Sequence, residues 1–284
     1  MGEMADLSDS QLDNRRDGAR GAADGNGENI ALEVTRDAFL GGQVEIAQPK
    51  SGHRAGIDAV LLAASVSGVN KEPMVLDVGA GPGTVGLLVA HRIGGAQVTG
   101  VEIEPQLVAL ASDNIAANAL SARMTMVEAD VCRPFRELEP RGLVANLYDR
   151  VISNPPFYDE DRCRVSANDL KRRANSIAPG GLEKWIKFMT TSARADGELV
   201  VIYPGDRLVD LLDCLDGRFG ALEVFPIFPR ECLPAIRVIV RGRKGSRAPL
   251  KIHRGLVMHE AEGAFTQRAK GLLSGGCALE FDEV

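Results

Sequence analysis

The chain has 284 residues, 45% hydrophobic and 25% charged, a globular composition on a chain long enough for a large core. No apolar run approaches the roughly 18 residues of a membrane-spanning helix, and Met1 to Asn29 has neither the basic start nor the apolar centre of a secretory signal. Five scattered cysteines (Cys132, Cys163, Cys214, Cys232, Cys277), never paired as Cys-x-x-Cys, and four histidines without ligand spacing exclude a disulfide scaffold, speak against a metal site and point to a reducing cytoplasm.

In chain order, residues 1–30 come first, rich in Gly, Asp, Asn and Ser and expected to be disordered. Seven acids and three bases there carry −4 of the formal charge of −6. Residues 31–284 are expected to form one domain, with a hairpin and helix over 31–73 and a core over 74–284. Val34 to Leu40 and Gln43 to Ala47 flank Gly41-Gly42, a hairpin signal. Asp58 to Val66 reads as a helix with Asp58 as N-cap. Strands are expected at Met74–Val78, Gln97–Glu102, Met124–Ala129, Asp149–Ser153, Glu198–Tyr203, Leu222–Phe228 and Ile236–Arg241. Helices are expected at Val85–Arg92, Gln106–Asn118, Leu182–Ala193 and Asp206–Leu215. Such alternation predicts an α/β fold: a mainly parallel seven-stranded sheet with helices on both faces, closing in an antiparallel hairpin. Ligands of such sheets sit beyond the carboxyl ends of the strands.

Four of those strand ends carry chemistry. Val75-Leu76-Asp77-Val78-Gly79-Ala80-Gly81-Pro82-Gly83-Thr84-Val85-Gly86 runs from a strand through a glycine-rich turn into a helix, where a ligand can approach the main chain. Asp77 would repel a dinucleotide pyrophosphate and suits a ligand carrying an ammonium group. The glycine spacing departs from the dinucleotide fingerprint, and no Lys-Ser/Thr follows to make a phosphate loop. Glu102 ends the next strand, roughly twenty residues on, where a carboxylate takes both hydroxyls of a ribose. Asp130, followed by Val131, ends the third and suits an adenine amino group or a turn cap. The fourth strand closes on Asn154-Pro155-Pro156-Phe157. Two prolines cannot donate to a ladder and fix φ, leaving a stiff rim of amide, carbonyls and a ring. Asn154 Oδ1 and the Pro155 carbonyl suit the two hydrogens of an exocyclic amine, with Phe157, and Tyr158 beside it, stacking on the base. Taken alone the tetrapeptide serves equally as a strand-ending turn.

Together, Asp77-x-Gly79-x-Gly81, Glu102, Asp130 and Asn154-Pro155-Pro156-Phe157 resemble the ordered motifs of the Rossmann-like S-adenosylmethionine-dependent methyltransferases, in the branch that methylates amino groups. Gly52-His53-Arg54-Ala55-Gly56-Ile57-Asp58-Ala59-Val60-Leu61-Leu62 is similar to the upstream segment of the bacterial tRNA adenine-N6-methyltransferases of the valine tRNA type. The resemblance covers about Thr35 to Leu272. It implies a Rossmann-like methyltransferase fold and S-adenosyl-L-methionine held by Asp58, Asp77, Gly79, Gly81, Gly83, Glu102, Asp130, Val131 and Asn154. It also implies catalysis at Asn154, Pro155, Pro156 and Phe157 on a tRNA adenine.

An RNA partner asks for local basic charge within an acidic chain. Arg162, Arg164, Lys171, Arg172 and Arg173 follow the Asn-Pro-Pro-Phe corner, and Arg162, Arg164, Arg172 and Arg173 join Phe157 and Tyr158 as candidate substrate contacts. Arg230, Arg237, Arg241, Arg243, Lys244, Arg247, Lys251 and Arg254 form a later stretch with only Glu231 opposing in sequence. Both suit phosphates, and both serve equally as solvated charge. The alternatives are a guanine-N2 rRNA or protein glutamine methyltransferase, and a non-catalytic RNA-binding module. The glutamine enzymes carry a helical domain before the cofactor motifs, where this chain has a hairpin.

Overall fold

A computed structural model describes residues 32–51, 54–67, 71–156, 158–159, 176–177 and 180–281. The expected disordered segment, residues 1–30, lies outside them. A hairpin of β1 (Val34–Phe39) and β2 (Val44–Pro49) opens the described chain, its Phe39↔Val44 register closed through Leu40–Gly42. Helix α1 (Ile57–Ala64) follows. Then come β3 (Met74–Val78), α2 (Thr84–Arg92), β4 (Gln97–Glu102), α3 (Pro105–Ala117), β5 (Met124–Glu128) and β6 (Tyr148–Ser153). Two-residue strands β7 (Tyr158–Asp159) and β8 (Ser176–Ile177) pair in parallel as a sheet of their own. Helix α4 (Gly181–Ser192), β9 (Ala193–Pro204), α5 (Leu208–Leu215), β10 (Phe219–Phe228) and β11 (Arg237–Lys244) complete the alternation. Short β12 (Lys251–Ile252) and β13 (Leu256–Val257) and helix α6 (Gln267–Gly275) end it.

The seven long strands lie in the order β5-β4-β3-β6-β9-β11-β10. All are parallel except β11, which inserts antiparallel between β9 and β10 and supplies the expected terminal hairpin. The sheet is wider than seven strands, because β12 and β13 each pair in parallel with β10 and make nine. Two-residue pairings on an edge strand carry no periodicity to read from sequence.

Burial on both faces explains the apolar strands. On β3, Val75 and Asp77 point to one face and Leu76 and Val78 to the other, following the period of two. Val75 joins a core with the hairpin, α1, α2 and α6, whereas Leu76 and Val78 join a second core with α4 and α5. Helix α6 was not foreseen. Only Ala269 and Leu272 are buried along it, so its apolar period is faint, although Thr266 caps it through Ala269 N at 3.2 Å and Gly276 ends it at φ +64°. Strand β9 begins five residues before its expected start, since Ala193 already pairs with Tyr148 and an irregularity between Tyr148 and Arg150 absorbs Asp196 at φ +57°.

Candidate active site

The parallel strands deliver their carboxyl ends to one edge. Val78 pairs with Ser153, so Gly79 and Asn154 are the next residues on neighbouring strands; Val78 also pairs with Val101, the residue before Glu102. At Gly79 the chain folds back over β4, with the Gly79 and Ala80 N–H groups both donating to the Val101 carbonyl at 2.9 Å. Gly79, Gly81 and Gly83 take φ of +74°, +55° and +83°, and Gly83 is the N-cap of α2. A side chain at Gly79 is excluded twice: by that φ, and by the Trp185 ring 2.8 Å from where a Cβ would lie.

Asp77 sits under the first turn of α2, buried, with Oδ2 accepting the Gly86 N–H at 2.9 Å. Burial pushes its carboxyl up to about 7; the Gly86 bond pulls the other way and the Glu102 charge adds to the rise. Glu102 is also buried. Its Oε2 accepts from Gly81 N at 2.9 Å and its Oε1 from Ile103 N at 2.8 Å and Glu104 N at 3.0 Å. Burial raises its pKa against those three bonds. A carboxylate offers about four lone-pair sites, so three are committed to backbone and a two-handed grip on a ribose needs the Gly81 bond to be shared or released. Asp130 lies two residues beyond β5 and uses Oδ1 in a turn with Cys132 N at 2.9 Å, the cap reading; Oδ2 has no hydrogen bond among the described residues. Val131 is buried in the second core.

Asn154 follows β6, half-buried, and its amide makes no hydrogen bond among the described residues; Pro155 beside it is buried. An uncommitted amide next to a fully bonded strand end has its polar atoms available to a ligand. The side chains of Phe157, Tyr158, Arg162, Arg164, Lys171, Arg172 and Arg173 lie outside the described residues.

Asp58 is not an N-cap. Helix α1 begins at Ile57 with Gly56 in that position and no side-chain cap, so Asp58 falls in the first turn and pairs with Arg237 Nε at 2.9 Å. The upstream segment is held from the hairpin instead. Asp37 pairs with Arg54 (2.6 Å), and buried Gln48 exchanges bonds with Ala55, donating at 3.1 Å and accepting at 2.7 Å.

The later basic stretch is not one free surface. Arg241 pairs with Glu223 at 2.7 Å and Arg243 with Glu198 at 3.2 Å, while Lys244 donates to Asn146 Oδ1 and the Ala193 carbonyl. The opposing acids come from neighbouring strands, which a linear reading cannot see. Glu198, Glu223, Arg241 and Arg243 line a cavity of about 230 Å³ toward the amino-terminal ends of the parallel strands, away from Asn154. Arg230, Arg247, Lys251 and Arg254 are exposed and make no ion pair among the described residues. Arg230 alone of these stands just past β10, at the carboxyl edge.

Three residues of the site escaped the sequence reading. Thr84 Oγ1, at the head of α2, is buried and makes no hydrogen bond among the described residues. Asn114 of α3 is buried and fully used: it accepts from Ala47 N at 2.8 Å and donates to the carbonyls of Ala47 (2.9 Å) and Pro82 (3.0 Å), tying the glycine turn to the hairpin. Trp185 of α4 donates from Nε1 to Ser153 Oγ at 3.0 Å. Only Thr84, inside the glycine motif, carried a local signal.

This arrangement fits a nucleoside carrying an amino acid. The orphan Thr84 hydroxyl at a helix N-terminus suits a carboxylate, and the acids at the second and third strand ends suit ribose and base. With the strand order it defines a Rossmann-like methyltransferase whose methyl donor is S-adenosyl-L-methionine.

Residues 56–183 match the model of the methyltransferase small domain family. The chain is 32% identical over 179 residues to a tRNA1(Val) (adenine(37)-N6)-methyltransferase of Porphyromonas gingivalis, covering 62% of this chain and 68% of that protein. It is 27% identical over 256 residues to the Yersinia pestis protein of the same name, covering 87% and 96%. The crystal structure of a predicted O-methyltransferase from Agrobacterium tumefaciens superposes with a TM-score of 0.67 at 30% identity, covering 80% of this chain and all of that one. The chain belongs to the family of the bacterial tRNA1(Val) adenine-N6-methyltransferases.

Proposed function

We propose that this enzyme methylates the exocyclic N6 amino group of an adenine in tRNA, with Asn154 and the Pro155 carbonyl receiving the two N–H groups. The observation that carries the reading is the uncommitted Asn154 amide one residue past the Val78↔Ser153 pair, beside the glycine turn. S-adenosyl-L-methionine, when bound, supplies an electrophilic methyl group. An adenine amino nitrogen is a weak nucleophile because its lone pair is delocalised into the ring. Acceptors on both hydrogens favour a pyramidal nitrogen and strengthen as positive charge develops on it, which lowers the barrier rather than merely tightening binding. With the donor bound, the N6 nitrogen would take the methyl group and release one proton to solvent, the donor leaving as the neutral thioether, while Asn154 and the Pro155 carbonyl hold the two N–H groups in place.

On this reading Thr84, Gly79, Gly81 and Gly83 receive the methionine part, Asp77 faces its ammonium, and Glu102 and Asp130 hold the adenosine. The double proline keeps the two acceptors fixed, so little reorganisation is needed. The adenine must leave its stack to arrive, and Phe157 and Tyr158 are proposed to hold it there. Arg162, Arg164, Arg172 and Arg173 are proposed to meet the RNA backbone, with Arg230 at the same edge. An oxygen acceptor, as the Agrobacterium protein's description implies for that protein, presents at most one proton and leaves one acceptor unused.

Purified enzyme with methyl-labelled cofactor and total tRNA, followed by nucleoside mass spectrometry, tests this. Labelled N6-methyladenosine is expected; label in N2-methylguanosine, in protein or nowhere overturns it.

A further inference from the structure

Trp185 is the single tryptophan of the chain, and it touches both halves of the site. Its ring lies so close to Gly79 that a Cβ there would stand 2.8 Å from Cζ2. Its Nε1 donates to Ser153 Oγ at 3.0 Å, and that fully buried hydroxyl donates onward to the Val78 carbonyl at 2.7 Å. Val78 leads into Gly79 and Ser153 into Asn154. One indole on α4 therefore braces the last residues of β3 and β6 where the cofactor turn and the double-proline corner diverge. A ladder alone does not fix that divergence, because Pro155 and Pro156 have no N–H to extend it.

We propose that Trp185 is a positioning residue for methyl transfer: through the Ser153 hydroxyl it sets the Asn154 corner against the Gly79 turn. The proposal rests on the amino-methylation reading of Asn154. Trp185 and Ser153 touch neither the base nor the donor in it; they hold the distance between the groups that do. Misplacing reacting groups by about 1 Å costs up to about a hundredfold in rate, so the bracing acts on kcat and leaves the affinity of the turn for cofactor alone.

The test uses the full-length enzyme and the variants Trp185→Phe, Ser153→Ala and their double. Phenylalanine keeps a ring beside Gly79 and removes the N–H; alanine removes the hydroxyl between the two. Each single variant is expected to lower kcat about ten- to a hundredfold, with KM for S-adenosyl-L-methionine and the calorimetric affinity for S-adenosylhomocysteine unchanged. The double is expected to be no slower than the slower single, because both act through one link. In the wild type, S-adenosylhomocysteine is expected to shift Trp185 emission, a readout independent of activity. Wild-type kcat in either single variant, or losses that multiply in the double, overturns the proposal. Equal loss of cofactor affinity and kcat overturns it too, since it marks a general packing role. Should Trp185→Phe not fold, Ser153→Ala with its cofactor titration decides alone. A wild-type enzyme that transfers no methyl to RNA sinks the function itself; an active wild type with unaffected variants sinks only the role of Trp185.

Discussion

Asp77→Asn separates stability from function, because the wild-type carboxylate is costly to keep charged. Its pKa stands at about 7 against an ordinary 3.8. At 1.36 kcal/mol per unit, that difference bounds the penalty of ionised Asp77 at roughly 4 kcal/mol. The sign follows from proton binding: the folded state holds this proton more tightly, so stability is highest below pH 4, declines between pH 4 and 7, and is level above 7. Asparagine keeps an oxygen for the Gly86 N–H and cannot ionise, but its NH₂ enters a buried place at a cost of about 1–3 kcal/mol. The variant is therefore expected to be more stable than wild type at pH 8 by about 1–3 kcal/mol, a rise of several degrees in Tm for a domain of this size. The gain should vanish, or turn to a loss, at pH 4. Cofactor binding should move the other way. A cationic ligand favours the ionised carboxylate, so wild-type affinity should rise from pH 6 to 8 with proton release at the lower end. The variant should bind about ten- to a hundredfold more weakly at pH 8 and lose that pH dependence. Thermal unfolding at the two pH values and calorimetry in two buffers of different ionisation enthalpy measure both. A lower Tm at pH 8, or unchanged affinity, refutes the reasoning.

Asn154→Ala should cut methyl transfer by about a hundred- to a thousandfold, the usual weight of a preorganised polar group, while calorimetric cofactor affinity stays the same; parallel loss of both would mark a structural asparagine. Glu102→Ala should weaken cofactor binding and loosen the glycine turn, read as faster hydrogen exchange at Gly81, whose N–H donates to Oε2; unchanged affinity removes Glu102 from the site. Arg230→Ala should weaken tRNA binding and lower its salt slope by about one, whereas Arg243→Ala, already paired with Glu198, should leave the slope unchanged. Equal slopes for both would place the RNA elsewhere.

Much of this architecture could be read from the chain because its causes are local. Parallel strands buried on both faces announce themselves as apolar runs, and the glycine turn, Glu102 and the double proline fall at their ends for reasons of backbone geometry. What escaped was set by contacts across long separations. Nothing around Trp185 hints at Ser153, thirty-two positions earlier, and nothing around Asn114 hints at Ala47, sixty-seven positions away. The same blindness made Arg237 to Lys244 look like an unopposed basic band, when Asp58, Glu198 and Glu223 stand against it in space. It also made Asp58 look like a cap, when its partner sits on the far strand.

The two kinds of residue divide the work of the site. Those at the strand ends are candidates to touch ligand, and their chemistry is written in their type: carboxylates for hydroxyls and amines, glycines for close approach, an amide for an NH₂. Asn114 and Trp185 hold the first group in place from either side of the sheet, Asn114 gripping Pro82 from the hairpin side and Trp185 bracing Gly79 from the other. A glycine turn with three residues at positive φ has few side chains of its own to fix it. Besides Glu102 on the Gly81 N–H, it is steadied by one hydrogen-bonded amide on Pro82 and one indole whose ring lies against Gly79. Loss of the inner residues should remove a function; loss of the outer ones should leave the groups present and misplace them, so kcat, KM and affinity separate the two classes where stability alone does not.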